Sequence, residues 1–200
     1  MDNHTPTENS RASVEACFKR DDMRGIWPNE LNAEVARLTG HAMAELLADK
    51  ADGKPEIVLG HDARLGSFDL LTAFARGVEA AGGRCTSIGL ASTEQVYYTC
   101  GRYADRFAGG AMVTASHNPR DYNGLKMMRS GAVPFSADDL AFIRRRVLEL
   151  LNPVPELPVG EEFAEFMLGL AGFDKWKPLG CGLKIVVMAG NGVGAVAFRP

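Results

Sequence analysis

The residues best able to do chemistry lie close together in the segment GAMVTASHNPRDYNGLKMM, residues 110–128. Ser116 offers a hydroxyl group, His117 an imidazole, Asn118 an amide and Lys126 an ammonium group. Groups of these types within one loop are typical of a catalytic site. Asn-Pro and Asn-Gly pairs also form ordinary turns, so the residue types alone are equally compatible with a structural loop.

Ser116 suggests two kinds of chemistry. A serine hydrolase needs a base beside the serine, but adjacent side chains of an extended segment point to opposite faces, which places His117 poorly. No G-x-S-x-G motif surrounds the serine. A serine that carries a phosphoryl group needs donors, a cation and a base for the incoming hydroxyl. Lys126 and Arg24 suit these roles, because lysine can act as a general base and arginine binds phosphate in a fork.

Short strands on either side of Ser116 are expected to position these groups. The apolar residues 111–113 predict a strand buried on both faces, and Pro119 limits how far that strand extends. The Asn-Gly pair at 123–124 indicates a turn, after which a strand over 125–128 resumes. In this arrangement Lys126 leans back toward the loop.

Strands and helices are predicted to alternate through the first 151 residues. Further strands are predicted over 56–60 and 85–90, and helices over 29–49, 67–81, from 92 and from 136, with Asn29 capping the first helix and Ser92–Gln95 and Ser136–Asp139 forming capping boxes. This alternation predicts an α/β fold around a mixed, mostly parallel sheet, with functional loops at the carboxyl ends of strands. Asp62 and Arg64 follow one such strand, and a pair at this spacing usually anchors a loop.

Composition excludes several classes of function. The chain has 200 residues, 46% of them hydrophobic, and a formal net charge of -3, which gives no reason to expect a nucleic-acid or membrane partner. The basic run at 144–146 is interpreted as a solvated helix face. No long apolar run or signal peptide is present and the cysteines have no paired spacing, which favours a cytoplasmic protein.

The two ends of the chain are predicted to be organised differently from its centre. Residues 1–15 are mostly polar and predict a disordered leader. The segment NPVPELP, residues 152–158, predicts a linker because proline is frequent in it. Residues 159–200 then predict the start of a second, incomplete α/β domain, with a short helix around Phe163 and Phe166 and a strand over 183–187.

The segment TASHNPRDYNGLK, residues 114–126, resembles the active-site serine loop of the α-D-phosphohexomutase family. Its Asp-Tyr-Asn-Gly portion is most similar to the bacterial phosphomannomutase and phosphoglucomutase branch. CFKRDDMRG, residues 17–25, resembles the opening strand and catalytic arginine loop of that branch, and GHDARL, residues 60–65, its Asp-x-Arg loop. The resemblance covers roughly residues 17–200.

This resemblance implies a three-layer α/β/α domain I over residues 16–151. It also implies interconversion of hexose 6-phosphate and hexose 1-phosphate, with mannose as the expected sugar and glucose as the alternative, through a phosphoserine and a bisphosphorylated sugar. Ser116 would carry the phosphoryl group and provide one Mg²⁺ ligand through it, and a hexose 1,6-bisphosphate would act as activator. Lys126 would be the general base or acid, Arg24 would assist proton transfer or stabilise charge, and His117 and Asn118 would position phosphoserine and substrate.

Asp62, Arg64 and Asn123 are expected to support this site structurally. The aspartate-rich metal loop, the sugar-recognising loop and the C-terminal phosphate loop of the family have no counterpart among these 200 residues. The chain alone is therefore expected to lack full activity. The alternative is a truncated, non-catalytic fragment or binding module.

Overall fold

The computed structural model describes residues 11–48, 54–151 and 160–170. Internal contacts divide the chain into two units, Met1–Pro153 and Val154–Pro200. The described elements of the first unit are helix α1 (Arg11–Cys17), strand β1 (Met23–Ile26), helix α2 (Ala33–Ala48), strand β2 (Glu56–His61), helix α3 (Ser67–Ala80), strand β3 (Arg84–Leu90), helix α4 (Thr93–Arg102), strand β4 (Gly109–Val113), strand β5 (Tyr122–Arg129), a 3₁₀ turn (Ser130–Ala132), strand β6 (Val133–Pro134) and helix α5 (Ala137–Leu150). In the second unit helix α6 spans Gly160–Leu170.

The strands form one sheet in the order β1-β5-β4-β2-β3, with β6 pairing β5. Strand β2 is parallel to β3 and to β4, whereas β5 is antiparallel to β1, β4 and β6. All strands except β5 therefore run in the same direction. The predicted mixed, mostly parallel sheet and the α/β fold class are confirmed.

Helices cover both faces of the sheet and create two cores. The larger core lies between the sheet and helices α1, α2, α3 and α5, and it includes the fully buried Phe74 and Leu125. The smaller core lies under α4 and includes Val58, Met112 and Met128. Strand β4 contributes to both cores, because successive side chains of a strand point to opposite faces. The fold is thus a three-layer α/β/α arrangement.

Helices α2 and α3 pack closely on the larger core. A Cβ atom placed on Gly77 of α3 would lie 1.8 Å from the carbonyl oxygen of Arg37 in α2. Glycine at this position lets the two backbones touch, which brings α3 and the loop before it into a fixed position over the sheet.

Helix α2 begins later than predicted. Its first residue is Ala33, and the amide side chain of Asn32 accepts a hydrogen bond from the Val35 backbone N–H at 3.1 Å. Asn29, the predicted cap, lies in the preceding turn. Both predicted capping boxes, at the starts of α4 and α5, are confirmed.

The leader prediction was wrong for residues 11–15, which belong to helix α1. Val14 of this helix is fully buried, and it supplies an apolar anchor that the polar composition of the segment obscured. Residues 1–10 lie outside the described residues, as do the predicted linker at 152–158 and the predicted strand at 183–187. The helix predicted around Phe163 is present as α6, and its Phe163 and Phe166 side chains are exposed.

The basic run at 144–146 is not a uniformly solvated face. Arg146 donates from Nε to Glu45 Oε2 at 2.6 Å and from Nη2 to Glu45 Oε1 at 2.9 Å. This two-bond pair joins α5 to α2. Arg144 and Arg145 are more exposed and make longer ion pairs with Glu15 and Glu149.

None of the helices in the described residues is long and apolar enough to span a membrane.

Candidate active site

Ser116 lies in the loop that follows β4, here called the serine loop (residues 114–121). Its φ angle is 56°, in the left-handed region that non-glycine residues seldom adopt. The Ser116 backbone N–H donates to Thr114 Oγ1 at 2.9 Å, and the residue itself is exposed. The chain is therefore turned at this serine, rather than extended as the sequence suggested, and the surroundings must hold it in a costly conformation.

Arg64 binds the serine loop through its backbone. Its Nη2 donates to the carbonyl oxygens of Ser116 at 2.7 Å and Asn118 at 2.8 Å. Its Nη1 donates to the carbonyl oxygens of Pro119 at 2.7 Å and Tyr122 at 3.1 Å. A planar guanidinium with fixed donor directions suits this task, because one rigid group can hold several turns of backbone at once.

A buried network holds Arg64 in turn. Asp62 Oδ2 lies 3.3 Å from Arg64 Nε, and Asp62 Oδ1 accepts from the Ser67 hydroxyl at 2.7 Å. Asn123, which is fully buried, donates from Nδ2 to Ser67 Oγ at 2.9 Å and to the Leu65 carbonyl at 3.0 Å. The structure thus brings Asp62, Arg64 and Asn123 together below the serine loop. Ser67, a buried polar residue at the start of α3, is the member that sequence reasoning missed.

The Asn-Gly pair at 123–124 does not form a turn, contrary to the prediction. Both residues lie inside β5, where Gly124 is paired with Arg24 of β1. A Cβ atom on Gly124 would lie 2.5 Å from the Met23 carbonyl oxygen and 2.6 Å from that of Thr114. Glycine is needed here for close approach of neighbouring backbones, a requirement that a local sequence pattern cannot distinguish from a turn.

Arg24 and Lys126, here called the cation pair, meet at one buried carboxylate. Arg24 lies in β1 itself, rather than in a loop after a strand, and it donates from Nη2 and Nε to Asp22 Oδ2 at 2.7 and 3.0 Å. Lys126 Nζ lies 3.7 Å from the same oxygen. Lys126 thus turns toward Asp22, the residue before β1. The prediction that Lys126 leans back toward the serine loop did not include this contact.

Asp22 was not predicted as a site residue. It is 6% exposed and stands two positions before Arg24, the same spacing that separates Asp62 from Arg64. That repeated Asp-x-Arg spacing was the signal that could have identified it. Burial raises the pKa of Tyr97 in α4, and the negative charge of Asp22 raises it further.

His117 and Asn118 occupy the outer part of the serine loop. The Asn118 side chain donates to the Ala115 carbonyl at 2.9 Å and so stabilises the loop. His117 is exposed. A shallow cavity of about 540 Å³ opens beside the loop and is lined by Asp62, Ala63, Arg64, Leu65, Asn118 and Arg120.

A second cavity, of about 560 Å³, lies next to Glu56 and Ala108 at the opposite ends of β2 and β4. None of the predicted site residues lines it. We assign the candidate site by its chemistry, at the carboxyl end of β4, because strand ends of this kind position reactive groups in open α/β sheets.

The expected Mg²⁺ site is not complete in this part of the chain. Among residues 11–48, 54–151 and 160–170, no group of three or more His, Cys, Asp or Glu side chains could hold a metal ion. Asp22, a buried acid beside Arg24, is already bound to that arginine. The described residues therefore supply no complete set of acidic ligands for Mg²⁺.

Comparisons with known proteins support the fold described above. The family model for the phosphoglucomutase/phosphomannomutase alpha/beta/alpha domain I matches residues 15–152. A protein named "Phosphohexose mutases" from Xanthomonas campestris pv. campestris (strain B100) is 40% identical over 183 residues, which are 88% of this chain and 38% of that protein. A phosphomannomutase from Escherichia coli (strain K12) is 37% identical over 186 residues, again 88% of this chain and 38% of the relative.

A solved structure gives the same result for the fold. The phosphoglucomutase/phosphomannomutase family protein from Burkholderia thailandensis aligns with a TM-score of 0.57 and 29% identity. The alignment covers 80% of this chain and 36% of that structure. The chain thus spans little more than a third of the length of the proteins that it matches.

Proposed function

Because the chain belongs to the phosphoglucomutase/phosphomannomutase family and contains its domain I, we propose that it provides the phosphoserine half of a phosphohexomutase active site. The whole protein would interconvert hexose 6-phosphate and hexose 1-phosphate, with mannose as the preferred sugar and glucose as the near alternative. Ser116 would carry the phosphoryl group between the two ends of the sugar.

The observation that carries this proposal is the arrangement of charges around the serine loop. Strand β5 holds Lys126 opposite Met112 of β4, and the backbone N–H of Thr114 donates to the Gly124 carbonyl at 3.0 Å. Lys126 and the serine loop are therefore attached to the same two strands, and β1, which pairs with β5, places Arg24 opposite Gly124. A phosphoryl group needs cations of this kind to offset its charge during transfer.

The proposed reaction uses Ser116 as a carrier rather than as a hydrolytic nucleophile. A sugar hydroxyl oxygen attacks phosphorus, the new P–O bond forms as the bond to Ser116 Oγ breaks, and the Oγ leaves as an alkoxide that gains a proton. Lys126, as the neutral amine, would accept the proton of the attacking hydroxyl, and the resulting ammonium would give a proton to the leaving Ser116 Oγ. Arg24 would stabilise charge on the phosphoryl oxygens. The reverse transfer from the other end of the bisphosphorylated sugar restores phosphoserine, so a hexose 1,6-bisphosphate would act as the activator.

His117 and Asn118 are proposed to position the phosphoserine and the substrate. Asn118 supports this role through its bond to the Ala115 carbonyl, which shapes the loop around Ser116. Mg²⁺ would supply charge neutralisation on the phosphoryl group. The described residues do not form a site for this ion.

A second candidate is a domain that binds hexose phosphate without turning it over. The span of about 38% of the relatives' length favours it for the 200-residue chain taken alone. This candidate retains the cation pair and the serine loop but lacks a closed cleft, which transfer between two ends of a sugar requires.

The direct test replaces the proposed carrier. In a complete enzyme that contains this domain, Ser116→Ala is expected to remove activity with mannose 1-phosphate, a hexose 1,6-bisphosphate and Mg²⁺, because no other group would accept the phosphoryl group. A coupled assay measures this loss, and the intact mass shows whether Ser116 carries phosphate. Ser87→Ala, an exposed serine on β3, is the matched control and should keep wild-type activity.

Wild-type turnover in Ser116→Ala would contradict the carrier role. Phosphate on Ser116 without any turnover in the 200-residue chain would instead favour the binding domain. Labelling of Ser116 by a fluorophosphonate would support hydrolase chemistry, which the phosphoryl-carrier proposal does not expect.

A further inference from the structure

Both members of the cation pair contact the same oxygen atom, Oδ2 of Asp22. Asp22 Oδ2 accepts both bonds from Arg24, at 2.7 and 3.0 Å, and it is also the carboxylate oxygen that lies 3.7 Å from Lys126 Nζ. Two positive groups that share one acceptor cannot separate without breaking a contact. Since like charges at this range repel each other, the shared carboxylate keeps them together.

The acid lies deeper than the two cations. The Asp22 side chain is 8% exposed, whereas those of Arg24 and Lys126 are 30% and 28% exposed. The carboxylate therefore contacts the cations from the protein side, and their more exposed parts face outward. An anion from solvent would meet two cations whose positions are already fixed.

Rigid elements set the position of Asp22. Its carbonyl oxygen accepts from the Lys19 backbone N–H at 2.8 Å, and the next residue, Met23, begins β1 and pairs with Leu125 of β5. The carboxylate, Arg24 and Lys126 thus come from two hydrogen-bonded strands and the residue before one of them. Little reorganisation is needed when an anion binds.

We propose that Asp22 is the positioning residue of this site, which holds Arg24 and Lys126 side by side so that both bind one phosphoryl group. The inference rests on the proposed function and assigns a role to a residue outside the predicted site. Asp22 does not itself touch the phosphoryl group, because it carries the same sign of charge and lies beneath the cations.

A positioning role and a simple charge effect predict opposite changes in anion affinity when Asp22 is replaced by a neutral residue. Removing a negative charge beside two cations should strengthen anion binding if only Coulomb attraction matters. If Asp22 fixes the geometry, its removal lets the cations move apart and weakens binding. The two explanations can therefore be separated by a single affinity measurement.

The test uses inorganic phosphate as the probe and the 200-residue chain as it exists. Phosphate is titrated while NMR follows the side-chain Nε–H of Arg24 and the amide of Ser116. We expect Asp22→Asn to weaken phosphate binding about tenfold, in the range found when a hydrogen-bonded partner of a ligating group is removed. Asp21→Asn, a neighbouring acid whose side chain is 84% exposed, makes the same charge change and should bind like the wild type.

Asp22→Glu gives an independent measure that keeps the charge. It moves the carboxylate by one methylene, so a positioning role predicts weaker phosphate binding, whereas a pure charge role predicts wild-type affinity. Circular dichroism of each variant shows whether it folds, and Asp22→Glu decides the question if Asp22→Asn does not. In a complete enzyme the positioning role further predicts a lower kcat with little rise in KM.

Phosphate binding by Asp22→Asn that equals or exceeds the wild type, or wild-type affinity in Asp22→Glu, would overturn the proposal. Failure of the wild-type chain to bind phosphate at Arg24 would overturn it too. Phosphate binding in the expected order, together with no phosphoryl transfer by a complete enzyme that contains this domain, would contradict the proposed function alone.

Discussion

Two Asp-x-Arg pairs of this domain have the same spacing, and they use their arginines in opposite ways. In the pair Asp62–Arg64, the arginine gives its Nη donors to backbone carbonyl oxygens of the serine loop and the residue after it. In the pair Asp22–Arg24, the described part of the chain shows the arginine donating to Asp22 alone. The first arginine fixes backbone, and the second has donors that the proposed phosphoryl group would bind.

The exposed fractions of the two arginine side chains agree with these different roles. The Arg64 side chain is 17% exposed, and that of Arg24 is 30% exposed. A motif of two residues therefore does not determine the role of its arginine. The role depends on which carbonyl oxygens and cations the fold places around the guanidinium group.

The largest effect is expected from breaking the first pair. Arg64→Lys should lower the free energy of unfolding by about 3 kcal/mol, because a single ammonium group cannot replace several hydrogen bonds to carbonyl oxygens. Urea denaturation measures the loss. Hydrogen exchange of residues 114–122 should also become faster, because Ser116 would no longer be held at positive φ.

Arg24→Lys is the matched control for this difference between the pairs. It retains the charge beside Asp22 and should cost less than about 1 kcal/mol. Equal losses of stability in Arg64→Lys and Arg24→Lys would remove the distinction between a structural and a ligand-binding arginine.

A smaller effect is expected from Gly124→Ala. This substitution tests whether β1 and the serine loop are both held in place by close packing on Gly124 of β5. The added Cβ would meet the carbonyl oxygens of Met23 and Thr114 at 2.5 and 2.6 Å, so β1 and the start of the serine loop must move apart. We expect a loss of about 2 kcal/mol in urea denaturation, as for overpacked sites.

Gly101→Ala is the control for this change. Its Cβ would meet nothing closer than 3.4 Å, at Ala132, and alanine favours the helix in which it lies. It should be as stable as the wild type or slightly more stable. A Gly124→Ala protein of wild-type stability would show that β1 and the serine loop adjust independently.

The smallest effect is expected for Glu45→Gln, which probes an ion pair away from the site. The hydrogen bond from Arg146 lowers the pKa of Glu45 below its usual 4.5, and burial opposes this shift. A carboxyl with a lowered folded-state pKa stabilises the protein above the unfolded-state pKa, and this contribution is lost as the pH falls through the folded-state pKa.

The wild type should therefore exceed Glu45→Gln by about 0.5–1 kcal/mol at neutral pH, and the gap should close as the pH drops below about 4.5. Urea denaturation at several pH values measures it. A gap that is constant down to low pH would show that the charge of Glu45 contributes nothing. Neither Asp-x-Arg pair should be affected by this substitution.

Much of the fold could be predicted because local signals coincided with it. The buried strand before Ser116, the helix over α3 and the two capping boxes all follow from patterns within a few residues. Predictions were wrong where a local signal had two meanings. Asn123-Gly124 resembles a turn but lies inside β5, and Arg146 resembles a surface charge but binds Glu45 of another helix.

The sequence by itself determined the α/β class, the place of Ser116 after a buried strand and the family resemblance of its loop. These depend on neighbours along the chain, where periodicity and turn chemistry act. Only the tertiary structure decided that Arg64 holds the backbone of the serine loop and that Asp22 joins Arg24 to Lys126. Both contacts link residues from different strands and loops, and strand register, which sets them, follows from packing of the whole sheet.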